Sequence, residues 1–333
     1  MTDSNDWKIF VGQGHQHDGL RRLPAAPPWR FSSRSGVPTN PPGKGRDKEV
    51  PRAKPFLPNE SMVLAVNTAL YLRRPLLVTG KPGTGKSTLI SKVAHELMLG
   101  PVLRWPITSR STVRNGVYEY DAVGRLQAGK TAEPPVEQYL TLGPLGTALL
   151  GKTWPRALLI DEIDKSDLDF ANDLLNVIEE GEYEIPELRR LGQTEVTVRD
   201  SYGELAKIAE GRIRCGHFPF VVMTSNAERE FPPPFLRRCV RLNIEPPSME
   251  ELTRIVESHL SEYKEKMDLA KIKELIDKFD RRRRDNQEVA TDQLLNAVFL
   301  TIAVIRDGQR SFSQKEIDVL EQSLLRQLSG QGT

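Results

Sequence analysis

Only two cysteines, Cys215 and Cys239, occur in 333 residues, too few for a disulfide framework or a zinc site built on thiolates. The five histidines show no ligand spacing with them beyond Cys215-Gly216-His217, which reads as coincidence. Long hydrophobic runs are also missing: the longest apolar stretch, Leu294 to Ile305, is interrupted by Asn296 and Thr301 and is too short to span a bilayer. With no Lys/Arg-led apolar segment near its start, the chain is expected in a reducing cytoplasm, without a membrane partner. A net charge of +2, with neither a basic stripe nor evenly spaced aromatics, gives no electrostatic case for nucleic acid. What is present, 38% hydrophobic residues over a length sufficient for two domains and a tail, predicts a soluble globular protein.

The most informative run is Gly80-Lys81-Pro82-Gly83-Thr84-Gly85-Lys86-Ser87, a full phosphate-binding loop. Pro75-Leu76-Leu77-Val78-Thr79 before it reads as a buried strand, and the spacing of Thr88, Leu89, Ile90, Val93, Ala94 and Leu97 behind it is helical. Glycines let successive N–H groups face the phosphates, Lys86 reaches the β and γ oxygens, and Ser87 offers its hydroxyl to Mg²⁺ where a helix dipole also favours anions. Residues Gly80 to Thr88 therefore form the expected nucleotide site, with ATP and Mg²⁺ as cofactors; the loop contacts phosphates and does not distinguish ATP from GTP.

A second apolar strand, Ala157-Leu158-Leu159-Ile160, ends in Asp161-Glu162. Asp161 is expected to hold the Mg²⁺ shell through water and Glu162 to polarise the attacking water. A third, Phe218 to Met223, ends in Thr224-Ser225-Asn226, where the Asn226 amide could hold the same water. Arg237 and Arg238 precede a further short strand; a guanidinium stabilises charge on a transferring phosphoryl group and can serve a neighbouring subunit's nucleotide. The alternative is a pair of surface cations.

Together these four elements resemble the AAA+ ATPases, and more narrowly the MoxR family, over about Lys54 to Leu328. The most specific part is Leu142-Gly143-Pro144-Leu145, then Asp161-Glu162-Ile163-Asp164-Lys165, then Leu174 to Glu180 with its paired terminal acids. The resemblance implies that Asn226 is the sensor-1 residue and Arg238 the arginine finger, with Arg237 in place of the family's usual Asp. It further implies a ring, expected as a hexamer, that uses ATP hydrolysis to remodel or switch protein clients, commonly a von Willebrand factor A domain protein. The basic N-terminal arm resembles those of members associated with bacterial defence. Ala290-Thr291-Asp292-Gln293-Leu294-Leu295 stands where the family carries a sensor-2 arginine, and no arginine is there. Either the γ-phosphate is sensed without one, or a cation of Arg281 to Arg284 substitutes. Two other readings stay open: a nucleotide-gated scaffold with little turnover, and a restriction-type nucleic-acid motor.

Three zones follow. Residues 1–54 carry prolines at 24, 27, 28, 38, 41, 42 and 51 and ten Lys/Arg against five Asp/Glu, which predicts a flexible, largely unpacked extension. Within it, Trp7 to Val11 and Pro27 to Phe31 are apolar-aromatic clusters that either dock on a partner's groove or fold back on the chain's own ATPase domain; His15 and His17 read as turn residues. Residues 55–246 predict an α/β nucleotide-binding domain with a five-stranded parallel sheet sandwiched by helices. Two long stretches interrupt it, Pro106 to Thr153 and Gly181 to Gly216. The first holds hairpin alternation at Gly116 to Tyr120, the second at Glu182 to Ile185 with Glu195 to Val198. By resemblance they are the helix-2 insert and the pre-sensor-1 hairpin, expected to touch the client or to pack between subunits. Residues 247–333, with capping boxes at Ser248 to Glu251 and Ser313 to Glu316, predict an all-α lid of four helices.

Overall fold

The computed structural model describes residues 7–30, 38–39, 41, 49–128, 134–151, 153–260, 263, 269–284 and 290–306. Its strands are β1 (Leu76–Thr79), β2 (Leu103–Pro106), β3 (Tyr118–Tyr120), β4 (Leu140–Leu142), β5 (Ala157–Asp161), β6 (Glu182–Glu184), β7 (Glu195–Arg199), β8 (Leu205–Ala209), β9 (Arg212–Arg214), β10 (Phe220–Ser225) and β11 (Val240–Asn243). Apolar runs without alternation need cover on both faces, and these build the expected five-stranded parallel sheet in the order β11-β1-β10-β5-β2. Its register sets Thr79 level with Ser225, Met223 with Ile160 and Pro106 with Asp161. The carboxyl ends of β1, β10 and β5 therefore finish along one edge, where ligands of such sheets bind.

The two long interruptions form a second sheet, six-stranded, in the order β3-β4-β7-β8-β9-β6. This changes the expected pairings. Gly116 and Val117 belong to the short helix Val113–Val117, and β3 pairs antiparallel with β4 (Glu119 with Thr141). In the second stretch β6 pairs with β9 (Tyr183 with Ile213) and β7 with β8 (Val196 with Ile208), so Glu182 to Glu184 and Glu195 to Arg199 are not partners of one another. A tight turn at Glu210 and Gly211, both at positive φ, joins β8 to β9.

The arm differs from an unpacked extension over residues 7–30. Ile9, Phe10 and Leu20 are buried. Asn67, itself fully buried on the helix Glu60–Leu72, accepts from the N–H groups of Ile9 (2.7 Å) and Phe10 (3.0 Å) and donates to the Phe10 carbonyl (2.7 Å). Glu96, the last residue of the helix Lys86–Glu96, accepts from the N–H groups of Val11, Gly12 and Gly14 at 2.7–3.0 Å. Buried polar groups demand partners, and the arm supplies them. Trp7 to Val11 thus folds back on the chain's own domain; Trp29 stays 66% exposed. His17 accepts from the Gly19 N–H, as a turn residue does, and also stands 3.5 Å from Glu96.

The chain packs as two compact units, residues 1–54, 58–79 and 87–243 in one, and 55–57, 80–86 and 244–333 in the other. Helices Met249–His259, Leu269–Arg284 and Thr291–Arg306 make the second, around Leu252, Val256, Leu275, Ile276, Phe279, Leu294, Val298 and Ile302. Its first helix starts with the expected capping box of Ser248 and Glu251. The Ser313 to Glu316 box lies outside the described residues. Among the described residues no helix is long and apolar enough to cross a membrane.

Candidate functional site

At the carboxyl edge of the sheet, the register places Thr224 beside Asp161. Asp161 Oδ1 accepts from the hydroxyls of Thr224 (2.5 Å) and Ser87 (2.8 Å). Three oxygens from three separate elements thus converge, and hard oxygen donors suit Mg²⁺. Among the described residues no group of three His, Cys, Asp or Glu side chains could hold a metal alone. Mg²⁺ fits such a site because it takes one or two carboxylates and completes its shell with phosphates and water.

Glu162 follows in the left-handed conformation, φ 60° and ψ 52°, sparsely populated by residues other than glycine and typical of functional sites. Its N–H donates to Thr224 Oγ1 (2.9 Å), which holds the bend, and its carboxylate pairs with Lys165 at 2.5 Å. That hydrogen bond and charge raise the Lys165 ammonium above its ordinary range. Both side chains are more than 40% exposed, so the pair opens at little cost.

Asp164 is only 3% exposed, and its Oδ2 accepts from the N–H groups of Asn226 (2.9 Å) and Glu228 (3.2 Å). The turn carrying Asn226 is thereby clamped to the segment after β5. Its other oxygen, Oδ1, is buried without a hydrogen-bond partner. Neither Thr224 nor Asp164 was assigned a role from sequence. The available signals were a hydroxyl pair, Thr224 and Ser225, closing an apolar strand and a third acid within Asp161 to Asp164.

The loop Gly80 to Lys86 belongs to the other unit. Gly80 and Gly83 sit at φ 150° and 74°; a Cβ on Gly80 would fall 2.4 Å from the Ile244 carbonyl, and one on Gly83 2.6 Å from Ala290 Cβ. A ring of Phe56 closes on Gly85 in the same way, at 2.9 Å. Lys86 Nζ donates to the carbonyls of Gly80 (2.7 Å) and Lys81 (2.9 Å), and Thr84 Oγ1 to that of Lys81 (2.9 Å). Lys81 and Pro82 are exposed, while Ser87 and Thr88 open the following helix. The loop so built has the glycine cradle and lysine that triphosphate binding needs. The atoms nearest a Cβ on Gly83 would be Cβ and Cα of Ala290 and the N of Thr291. Arg283 is engaged elsewhere in the same unit, with Asp280 (2.7 Å) and the Pro247 carbonyl (2.6 Å).

Arg238 is not brought to this edge. Val240 N–H donates to the Pro75 carbonyl, so Arg237 and Arg238 enter at the amino end of the sheet, a strand length, about 13 Å, from the carboxyl ends. Arg237 is exposed. Arg238 donates to Glu179 Oε2 through Nε (2.8 Å) and Nη2, and to Asn176 Oδ1 (2.6 Å). Cys215 and Cys239 are core residues whose thiols burial pushes up to about 12.

Residues 75–239 match the family described as AAA domain (dynein-related subfamily). No curated protein matches the chain. Similar solved structures include domain III of the Thermotoga maritima replication initiation protein DnaA, 15% identical, covering 83% of this chain and 97% of that one with a TM-score of 0.45. Another is Hsp104 in its closed state with ATPγS and FITC casein, 18% identical, covering 67% of this chain and 39% of that one with a TM-score of 0.36.

Proposed function

With an AAA domain at residues 75–239 as the premise, we propose that the chain is a MoxR-like AAA+ ATPase that assembles as a ring, a hexamer, and hydrolyses ATP to remodel or switch a protein client. The convergence of Ser87, Asp161 and Thr224 carries this reading. Residues Gly80 to Thr88 hold the triphosphate, with Lys86 against the β and γ oxygens. Ser87 and Asp161 would hold Mg²⁺, which when bound neutralises charge on the transferring phosphoryl group. Glu162, once released from Lys165, orients and deprotonates the attacking water, and Asn226 holds that water from the other side. Arg238, with Arg237 beside it, acts on the neighbouring copy's nucleotide. Its place at the opposite edge from Asp161 supports action in trans rather than in cis. A von Willebrand factor A domain protein is the client class we favour, in a bacterial defence setting that rests on the basic arm.

A nucleotide-gated scaffold with little turnover is the second reading, favoured by Ala290 to Leu295 carrying no arginine in the stretch where the MoxR resemblance puts sensor 2. Light scattering of Glu162→Gln with and without ATP and Mg²⁺, beside wild-type phosphate release, separates the two. A discrete ATP-dependent ring with brisk wild-type turnover supports the remodelling ATPase. Assembly with negligible turnover supports the scaffold, and a silent monomer contradicts both.

A further inference from the structure

Helix Leu168–Glu180 ends in two carboxylates with no basic residue in its last turn, although the negative end of a helix dipole disfavours anions. Glu179 is compensated from outside the helix, by two arginines that approach from opposite ends of the sequence. Its Oε1 takes Arg30 Nη1 at 3.0 Å, and its Oε2 takes Nε and Nη2 of Arg238. Burial alone would raise the Glu179 carboxyl, but the hydrogen bonds and charges of Arg238 and then Arg30 hold it below the usual range. The Arg30 side chain is only 5% exposed and its Nε is buried without a hydrogen-bond partner. An arginine placed at that cost, in an arm anchored independently at Asn67 and Glu96, needs a reason beyond docking the arm.

We propose that Arg30 of the N-terminal arm is a positioning residue for Arg238, acting through the carboxylate that the two guanidiniums share. The inference rests on the reading of Arg238 as a finger acting on the next copy. Arg30 occupies one carboxylate oxygen, so Arg238 is confined to the other and to Asn176, which fixes the plane of its guanidinium. Without Arg30 both oxygens are open to Arg238 as a bidentate fork, and the guanidinium turns away from Asn176. Such a turn of a charge-stabilising group lowers the rate without changing nucleotide affinity.

The test uses mixed assemblies of the full chain. Lys86→Ala copies bind no nucleotide and only donate fingers, whereas Arg238→Ala copies hold nucleotide and donate none. Arg30→Ala placed in the Lys86→Ala copy should lower the recovered turnover about 5-fold, Arg30→Lys should restore part of it, and Arg30→Ala placed in the Arg238→Ala copy should change nothing. Glu179→Gln, a near-isosteric change that removes the shared charge and leaves one acceptor oxygen for the two guanidiniums, should repeat the donor-side loss if Arg30→Ala compromises the arm. Equal losses from either copy, or no loss from the donor copy, would overturn the inference. Failure of the parent mixture to recover any turnover would sink the finger reading itself, and this inference with it.

Discussion

Thr224 is the residue on which the geometry of the proposed catalytic edge turns, because one hydroxyl serves Asp161 as donor and the Glu162 N–H as acceptor. Thr224→Val removes both bonds with little change of volume. It should cut turnover by about 10- to 100-fold, measured by phosphate release, while nucleotide affinity changes far less. Lys86→Ala, by contrast, should abolish binding of a fluorescent nucleotide, and Glu162→Gln should bind but not hydrolyse. Glu96 carries a pH prediction. Burial opposes its charge, yet the His17 contact and the Gly14, Val11 and Gly12 N–H groups outweigh burial and hold its carboxyl below the ordinary range. A depressed folded-state value means that the unfolded chain binds more protons in the window between the two values. Its contribution is therefore complete above the ordinary carboxylate value of about 4.3 and is lost as pH falls through the lowered one. Glu96→Gln should lower stability at neutral pH by about 1–3 kcal/mol and flatten the acid limb of a urea-midpoint profile.

Close backbone approach explains one stretch that sequence marked without explaining. Helix Pro144–Leu149 lies against the Val117 carbonyl, and a Cβ on Gly146 would meet that oxygen at 2.1 Å. Backbone cannot yield as a side-chain tip can, so Gly146→Ala should cost about 1–3 kcal/mol, read as a lower urea midpoint with an unchanged slope. The elements legible in sequence were those written locally. The parallel strands are unbroken apolar runs, the phosphate loop is contiguous, and the Ser248 cap spans four residues. The second sheet was only half legible, since Leu-Ala-Lys-Ile-Ala at 205–209 shows no apolar–polar alternation in sequence, although Ala206 and Ile208 turn inward in alternation with exposed neighbours. Thr224 and Asp164 depend on which strands lie side by side, and register is not local. The docking of the arm is set by Asn67 and Glu96, 57 to 85 residues away from the N–H groups they bind, so composition alone suggested a loose tail.

For the whole molecule, the consequence of this register is that the residues proposed for catalysis do not all lie on one edge of a single copy. Ser87, Asp161, Thr224 and Glu162 gather at the carboxyl ends of the strands, while Arg238 is held at the amino end by Glu179 and Asn176. A ring of copies in one sense would set each Arg238 against the next copy's nucleotide, a heterologous interface that closes on itself. The measurement that tests this most directly is phosphate release from an equimolar mixture of Arg238→Ala and Lys86→Ala proteins, with mixed assembly verified by differential labels. Each alone should be silent, and the mixture should recover turnover, because the Lys86→Ala copy supplies the arginine and its neighbour the nucleotide. A mixture as silent as its components, in assemblies shown to contain both, would contradict a site shared between copies.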